Sequence, residues 1–396
     1  MRQLTLLGLA LLATVALADY VPLPAPYTEH CILDDNQNLY DPKNANKVKW
    51  FTVDLDTPPR EHFKEIATAY KKNINDLVGV VKDLIVPWFP EALKIIDILF
   101  EDLLLWIPEP YNSEIRGIAD VVEMPLGEVV LYNVFYEVFT VCTSIVAQAN
   151  NGTLYHARNL DFGLFLGWNP VQHEWSISSV LRKMIVNINW MKNGKLLFKS
   201  NNFAGFVGIY NGLKPNAYTI TANERFDLAG GYYGMLRYVL GLEPGGKWMT
   251  WLVRETLENC TKFDDAVDTL SNVPLLSPVY YIVGGVRPFE GAIITRGLND
   301  TISTVQMDAD SDDGWYLLQT NYDPDTPPLF IDDRDTPGNK CMKTLGQRNV
   351  GFKGIYNVLS SRTNLNKLTT YTVLMSTSNN AFETHIQSCP GYCWGW

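Results

Sequence analysis

The residues able to do covalent chemistry sit in one short stretch of the 396-residue chain. Val141-Cys142-Thr143-Ser144-Ile145-Val146-Ala147 sets a cysteine at the head of a β-rich run. After a turn at Asn150-Asn151-Gly152 the chain returns as His156-Ala157-Arg158-Asn159-Leu160-Asp161-Phe162. A hairpin of that length brings Arg158 and Asp161 back towards the start of the strand. A thiol attacks a carbonyl as its thiolate, and a neighbouring guanidinium lowers its pKa. A carboxylate can orient a protonated amine beside it. On residue type alone, a cysteine among apolar neighbours is more often structural; the return segment is what favours chemistry here.

The thiol needs a proton acceptor. A papain-like arrangement would draw on His156, the one nearby histidine, but no oriented Cys–His–Asn signature surrounds it. The alternative is cleavage of the Val141–Cys142 peptide bond. The freed α-amine then lies on the same residue as the sulfur, with an unperturbed pKa of roughly 7.7–8.0. An N-terminal amine can activate its own side-chain nucleophile, and no histidine is required.

The elements that must position these groups follow from the sequence pattern. A Pro-rich, extended entry containing Cys31 runs through Pro42, and His62–Val81 has helix-compatible composition. Across Pro90–Trp106 the polar residues Glu91, Lys94, Asp97 and Glu101 recur at helical spacing on an otherwise apolar surface. That surface suits a buried core helix, or alternatively a face that meets lipid. From about Val141 the period shortens to that of strands. Asn193-Gly194, between Met184–Met191 and Lys195–Lys199, predicts a hairpin, and Asn211-Gly212 a second, weaker turn. Helices are expected at Tyr232–Leu242, at Trp248–Asn259 and from Thr261, with Asp264 in the capping-box position. Strands are expected at Val279–Val283, Gly291–Thr295, Ser303–Met307 and Trp315–Thr320. Helices, strands, helices and strands again point to a layered α+β fold with mainly antiparallel sheets.

Composition narrows the class. The net charge of −11 argues against a nucleic-acid partner, because phosphate binding needs clustered Lys and Arg. The pI near 5.0 means that repulsion from anionic lipid vanishes in an acidic compartment. Arg2, the apolar Leu4–Val15 and Ala16-Leu17-Ala18 before Asp19 form a signal-peptide pattern over residues 1–18. Three glycosylation sequons begin at Asn151, Asn259 and Asn299. In an oxidising compartment the six cysteines invite disulfides, and Cys389-Pro-Gly-Tyr-Cys393 could close a local loop. With five histidines, no His-Glu-x-x-His and no second close cysteine pair, no metal site is expected.

Five segments in order carry a specific resemblance. They are Cys142–Ala147, His156–Phe162, Asn223-Glu224-Arg225-Phe226, Gln319-Thr320-Asn321-Tyr322-Asp323 and Asp332-Asp333-Arg334. Together they resemble the acid ceramidases, N-terminal-nucleophile hydrolases akin in fold to the choloylglycine hydrolases, and the similarity runs from Cys31 to the C-terminal tail. The resemblance implies an αββα sandwich and self-cleavage between Val141 and Cys142. It thus implies a helical α chain of residues 19–141 and a catalytic β chain of residues 142–396. It further implies a Cys31–Cys341 link between the chains, a Cys389–Cys393 loop and an unpaired Cys260.

The roles implied are Cys142 as nucleophile, Arg158 polarising the thiol and Asp161 holding the amine. Asn321 would donate to the oxyanion, Glu224 would anchor the site or the substrate's polar head, and Arg334 would be an active-site arginine. Each has a bland counterpart: an Arg158–Asp161 ion pair, a turn-capping Asn321, a Glu224–Arg225 pair, and an Arg334 that neutralises its acidic turn. The activity implied is hydrolysis of a ceramide amide without metal or organic cofactor, in the lysosome or after secretion. An anionic membrane surface or a lipid-presenting activator protein would be the further partner. The rivals are an N-acylethanolamine acid amidase, which shares the nucleophile strand, and a non-catalytic lipid-binding protein.

Overall fold

The computed structural model describes residues 31, 39–85, 106–135, 140–162, 167–226, 238, 245–328, 332–362, 364–389 and 393. The expected helix at Pro90–Trp106 lies outside them except for Trp106, and that at Tyr232–Leu242 except for Tyr238. The signal-peptide pattern lies outside them entirely.

In chain order the strand β1 (Trp50–Asp54) precedes the helices α1 (Lys64–Ile85), α2 (Tyr111–Val122) and α3 (Leu126–Phe135). The hairpin β2 (Thr140–Gln148) and β3 (Leu154–Phe162) follows, then β4 (Trp168–Asn169), β5 (Glu174–Trp175) and α4 (Ser176–Arg182). Next come β6 (Ile185–Lys192), β7 (Lys195–Phe203), β8 (Asn211–Lys214) and β9 (Tyr218–Glu224), then α5 (Met249–Asn259) and α6 (Phe263–Asn272). The chain continues through β10 (Val279–Gly284), β11 (Gly291–Arg296), β12 (Thr301–Gln306) and β13 (Tyr316–Gln319). It ends with α7 (Asp335–Leu345), α8 (Phe352–Leu359), β14 (Thr369–Ser376) and β15 (Ala381–Ile386).

Two sheets form the centre. One has the order β1-β6-β7-β8-β9-β10-β11-β12, the other β13-β2-β3-β14-β15. Neighbours are antiparallel apart from the parallel β1–β6 pair at one edge. The sheets face each other through a partly polar seam: Ser144 Oγ donates to Asn223 Oδ1 at 2.8 Å, and Thr384 Oγ1 to Asn187 Oδ1 at 2.7 Å. On the outer side of the smaller sheet, Met342 and Leu345 of α7 and Ile355, Val358 and Leu359 of α8 bury Ile145, Ala147, Ala157 and Leu374. Helices α1–α3, α5 and α6 share the large core with the other sheet. Their approach is close at Gly212, where a Cβ would stand 2.5 Å from Leu257 Cδ1. The architecture is therefore the expected αββα sandwich.

The hairpin at Asn193-Gly194 forms as expected, with left-handed φ of 51° and 69° at its two central residues. Other expectations need correction. Asn211-Gly212 lies inside β8, not in a turn; the reversal comes at residues 215–217, with Asn216 at φ 55°. Gly212 serves the contact with Leu257 instead. Helix α6 starts at Phe263, and no side chain caps it, so the capping box does not form. The pattern also left out β1, β14 and β15. Strand β14 is buried along its whole length, which removes the alternation that marks a half-exposed strand.

Candidate active site

Register fixes which groups meet. In the β2–β3 pair Cys142 stands opposite Leu160, Ser144 opposite Arg158 and Val141 opposite Asp161. Alternation along the pleat puts Cys142 and Arg158 on the face towards the larger sheet, as diagonal neighbours, and Asp161 on the other face. The contacts agree. Arg158 Nη2 donates to the Cys142 sulfur, and its Nη1 to the Tyr210 carbonyl at 3.1 Å. On the far side, Asp161 accepts from Thr369 Oγ1 at 2.5 Å and Asn366 Nδ2 at 2.9 Å. Arg334 Nη1 lies 3.9 Å from Asp161.

Two further segments close over the backbone of Cys142. Strand β13 ends at Gln319, and two residues later Asn321 Oδ1 accepts the Cys142 backbone N–H at 2.8 Å. Asn321 Nδ2 donates to the Glu224 carbonyl at 2.6 Å and points to the Thr140 carbonyl at 3.5 Å. Arg334, at the start of α7, donates to the Cys142 carbonyl through Nη1 and to Asn321 Oδ1 through Nη2 at 2.8 Å. It also pairs with Asp332, at 2.9 Å from Nε. The acidic turn is thus neutralised by the same guanidinium that reaches residue 142.

All six sequence-derived site residues therefore converge: Cys142, Arg158, Asp161, Asn321 and Arg334 by side chain, and Glu224 through its carbonyl at the end of β9. Arg225 pairs with Asp323, not with Glu224. His156 is elsewhere. It stands opposite Val146, between Thr219 Oγ1 at 2.8 Å and Thr221 Oγ1 at 3.1 Å. Burial, reinforced by Arg158, pushes its pKa down to about 3, so it stays neutral. It cannot serve Cys142 from four residues along the strand.

Electrostatics in the uncut chain are set by burial, since Cys142, Arg158, Asp161, Asn321 and Arg334 are all fully buried. Burial pushes the Cys142 thiol up to about 11, against the pull of Arg158. The guanidinium is in place, but it does not make a thiolate while the site is closed. Burial also raises Asp161 to about 6, although Arg334, Thr369 and Asn366 favour its charge. Between the ordinary value of 3.8 and about 6 the native state keeps a proton that the unfolded chain has released, so stability falls as pH rises through this window. In an uncut Cys142→Ala background, Asp161→Asn is therefore expected to remove roughly 3 kcal/mol of stability loss between pH 4 and pH 7. Urea unfolding across that range measures it, and identical pH slopes with and without Asp161 would refute the assignment.

The sequence reading missed Asn366 and Thr369, which hold Asp161 from the segment before β14 and from its first residue. No local motif marks them. Asn223 lay in a quoted segment without a role; its Nδ2 donates to the Gln319 and Thr320 carbonyls at 2.9 and 3.2 Å. Cysteines pair as Cys31–Cys341 and Cys389–Cys393, while Cys142 and Cys260 are free and buried. Among the described residues no group of His, Cys, Asp and Glu is arranged to hold a metal ion, and no helix is long and apolar enough to cross a membrane.

A cysteine near the start of a strand in an αββα sandwich, with its backbone N–H and carbonyl both gripped by side chains, defines an N-terminal-nucleophile hydrolase acting on linear amides. Residues 142–302 match the model for linear amide C–N hydrolases of the choloylglycine hydrolase family, so the matched stretch begins at Cys142. Residues 46–105 match the beta subunit of N-acylethanolamine-hydrolyzing acid amidase. Acid ceramidase of Heterocephalus glaber is 39% identical over 100% of this chain and 99% of its own length. That of Mus musculus is 38% identical over the whole of both. The solved structure of a Caenorhabditis elegans N-acylethanolamine-hydrolyzing acid amidase ortholog superposes with TM-score 0.52 at 27% identity, covering 62% of this chain and 100% of that one. The chain belongs to the acid ceramidase family.

Proposed function

We propose that the chain cuts itself before Cys142 and then hydrolyses the amide bond of ceramide, giving sphingosine and a fatty acid. The observation that carries the reading is the grip on residue 142. Asn321 holds the nitrogen that would become the α-amine, Arg158 holds the sulfur and Arg334 holds the carbonyl. A structural thiol needs none of these.

Maturation begins with the Cys142 sulfur attacking the Val141 carbonyl, so that the acyl group moves from nitrogen to sulfur. That shift breaks the Val141–Cys142 C–N bond and frees the amine; water then hydrolyses the thioester, releasing the Val141 carboxylate and restoring the thiol. The residue-142 amine can thereafter take the thiol proton, and departure of residues 140 and 141 opens the site whose closure keeps the thiol neutral. In turnover the thiolate attacks the ceramide carbonyl, the sphingosine amine leaves with a proton from the α-ammonium, and water activated by the α-amine hydrolyses the acyl-enzyme. Asn321 serves both halves. Its Oδ1 accepts from the amine, and its Nδ2, now facing Thr140, is freed to donate to the substrate oxyanion once Thr140 has left. Losing one such donor typically costs 10²–10³ in rate.

The Cys31–Cys341 bridge would join residues 19–141 to residues 142–396 after cleavage. The signal-peptide pattern and exposed side chains at Asn151, Asn259 and Asn299 support the secretory route, glycosylation, and delivery to the lysosome or outside the cell. The substrate is tested by assaying ceramides and N-acylethanolamines side by side at acidic pH. A preference for ceramide on the order of tenfold or more in kcat/KM is expected, because the ethanolamide keeps the primary hydroxyl but lacks the second hydroxyl and the long sphingoid chain that a ceramide site would bind. Faster turnover of the ethanolamides would overturn the substrate assignment.

A further inference from the structure

Two quoted segments contain charged residues that the chemistry above does not use. Arg225 follows Glu224 at the end of β9, and Asp323 lies two residues beyond Asn321. They meet as a two-point pair, with Nε to Oδ1 at 2.7 Å and Nη2 to Oδ2 at 2.5 Å. Tyr280 of β10 donates its hydroxyl to the same Oδ1 at 2.6 Å. Between the pair the backbones are also joined, because the Phe226 N–H donates to the Asn321 carbonyl at 3.0 Å. Residue 225 extends from the larger sheet and residue 323 from the smaller one, so the pair bridges the two sheets beside Asn321. Asn321 is the residue that must meet the Cys142 nitrogen.

We propose that Arg225 and Asp323, with Tyr280, form a positioning clamp that fixes the Asn321 side chain against residue 142. The clamp rests on the reading of Asn321 as a participant in catalysis. The two-point geometry suits the task, since a guanidinium fork on a carboxylate sets orientation as well as distance. It also suits acid. The hydrogen bonds from Arg225 hold the Asp323 carboxyl below its ordinary pKa, outweighing its partial burial, with Tyr280 adding to the effect. The carboxylate therefore keeps its charge as pH falls until that lowered pKa is reached. Arg225 and Asp323 are part-buried, with 13% and 33% side-chain exposure, so water still screens the pair and its contribution to fold stability is modest. Their two-point geometry is better explained by placement, because a misplacement of about 1 Å at a reacting centre can cost 10²-fold in rate.

The test compares Arg225→Met, Arg225→Lys, Asn321→Ala and the Arg225→Met/Asn321→Ala double variant. Hydrolysis is measured on the cleaved two-chain form, and the rate of chain cleavage is measured for any variant that stays uncut. Arg225→Met is expected to lower kcat, or the cleavage rate, by about tenfold or more. KM should stay within about twofold and the thermal midpoint within about 3 °C of the parent. Arg225→Lys should recover part of the loss. In the Asn321→Ala background the Arg225 change should cost nothing further, because the clamp acts through that side chain. Equal losses with and without Asn321 would overturn the clamp and leave the catalytic reading of Asn321 intact, as would a parental rate in Arg225→Met. A parental rate in Asn321→Ala would overturn the catalytic reading of Asn321, and the clamp with it.

Discussion

Cys142→Ala is expected to leave a single uncut polypeptide and to abolish amide hydrolysis, with a loss of at least about 10⁴-fold. In the proposed mechanism one atom carries both events. The sulfur would attack the Val141 carbonyl during maturation and the substrate carbonyl during turnover, so no other side chain could rescue one function and spare the other. The strand carrying residue 142 does not depend on the thiol for its place: it is held by its pairing with β3 and β13, and the Asn321 and Arg334 contacts go to backbone atoms, so that the Arg158 contact is the hydrogen bond lost. The variant should therefore fold and keep the Cys31–Cys341 bridge. Reducing electrophoresis with N-terminal sequencing separates the outcomes. The parent is expected to give a fragment beginning at Cys142, and the variant none. A variant that still produces this fragment would show that another protein cuts the chain, and self-cleavage would fall.

The grouping of three members of the candidate site was legible in sequence because they are local. Cys142, Arg158 and Asp161 lie within one hairpin, whose register follows from strand length and the turn at Gly152. Asn321 and Arg334 are distant in sequence, and the resemblance of their segments is what singles them out, since locally they read as a turn cap and a neutralised acidic turn. The assignments that the sequence pattern did not supply depend on long-range contact. Asn366 and Thr369 reach Asp161 from some 205 residues away, and nothing in their own neighbourhood announces it. The state of the thiol was also out of reach. Arg158 beside sulfur suggests a thiolate, but complete burial reverses the balance in the uncut chain, and burial is a property of the closed fold. Asn211-Gly212 failed for a similar reason. A dipeptide favourable for turns was recruited into β8 because α5 needs a residue without a side chain beneath Leu257.

Removing one partner of the buried Glu114–Arg254 pair is expected to destabilise the protein by roughly 3–5 kcal/mol. Glu114 lies on α2, before the proposed cut, and Arg254 on α5, after it. Both side chains are fully buried, and the guanidinium meets both carboxylate oxygens at 2.6 Å. His62 Nδ1 lies 2.6 Å from the same carboxylate, and the guanidinium rests 4.6 Å from the centre of the Trp190 ring. Tyr111, one helical turn before Glu114, stacks on Trp251 at 4.2 Å between ring centres. Glu114→Ala would leave a buried guanidinium without its main counter-charge, a cost that the remaining bonds to Glu258 and the Val207 carbonyl cannot offset. A Glu114→Gln/Arg254→Met double variant removes both charges and should lie much closer to the parent than Glu114→Ala.

Although burial opposes the Glu114 charge, Arg254 and His62 hold its pKa below the ordinary value. The contribution of the pair is therefore complete above the ordinary value of 4.5, declines as pH falls from there towards the lowered pKa, and is gone below it. This has a consequence for the cut protein. If residues 19–141 and 142–396 are separate chains, the disulfide is not their sole tie, and the two should stay together in reducing buffer at acidic pH. Urea unfolding of uncut Cys142→Ala chains gives the stability difference, and size-exclusion chromatography of reduced, cleaved protein reads the association. Glu114→Ala should lower the first and loosen the second. Separation of the parental chains on reduction alone would show that the Cys31–Cys341 bridge, and not this buried network, holds them together.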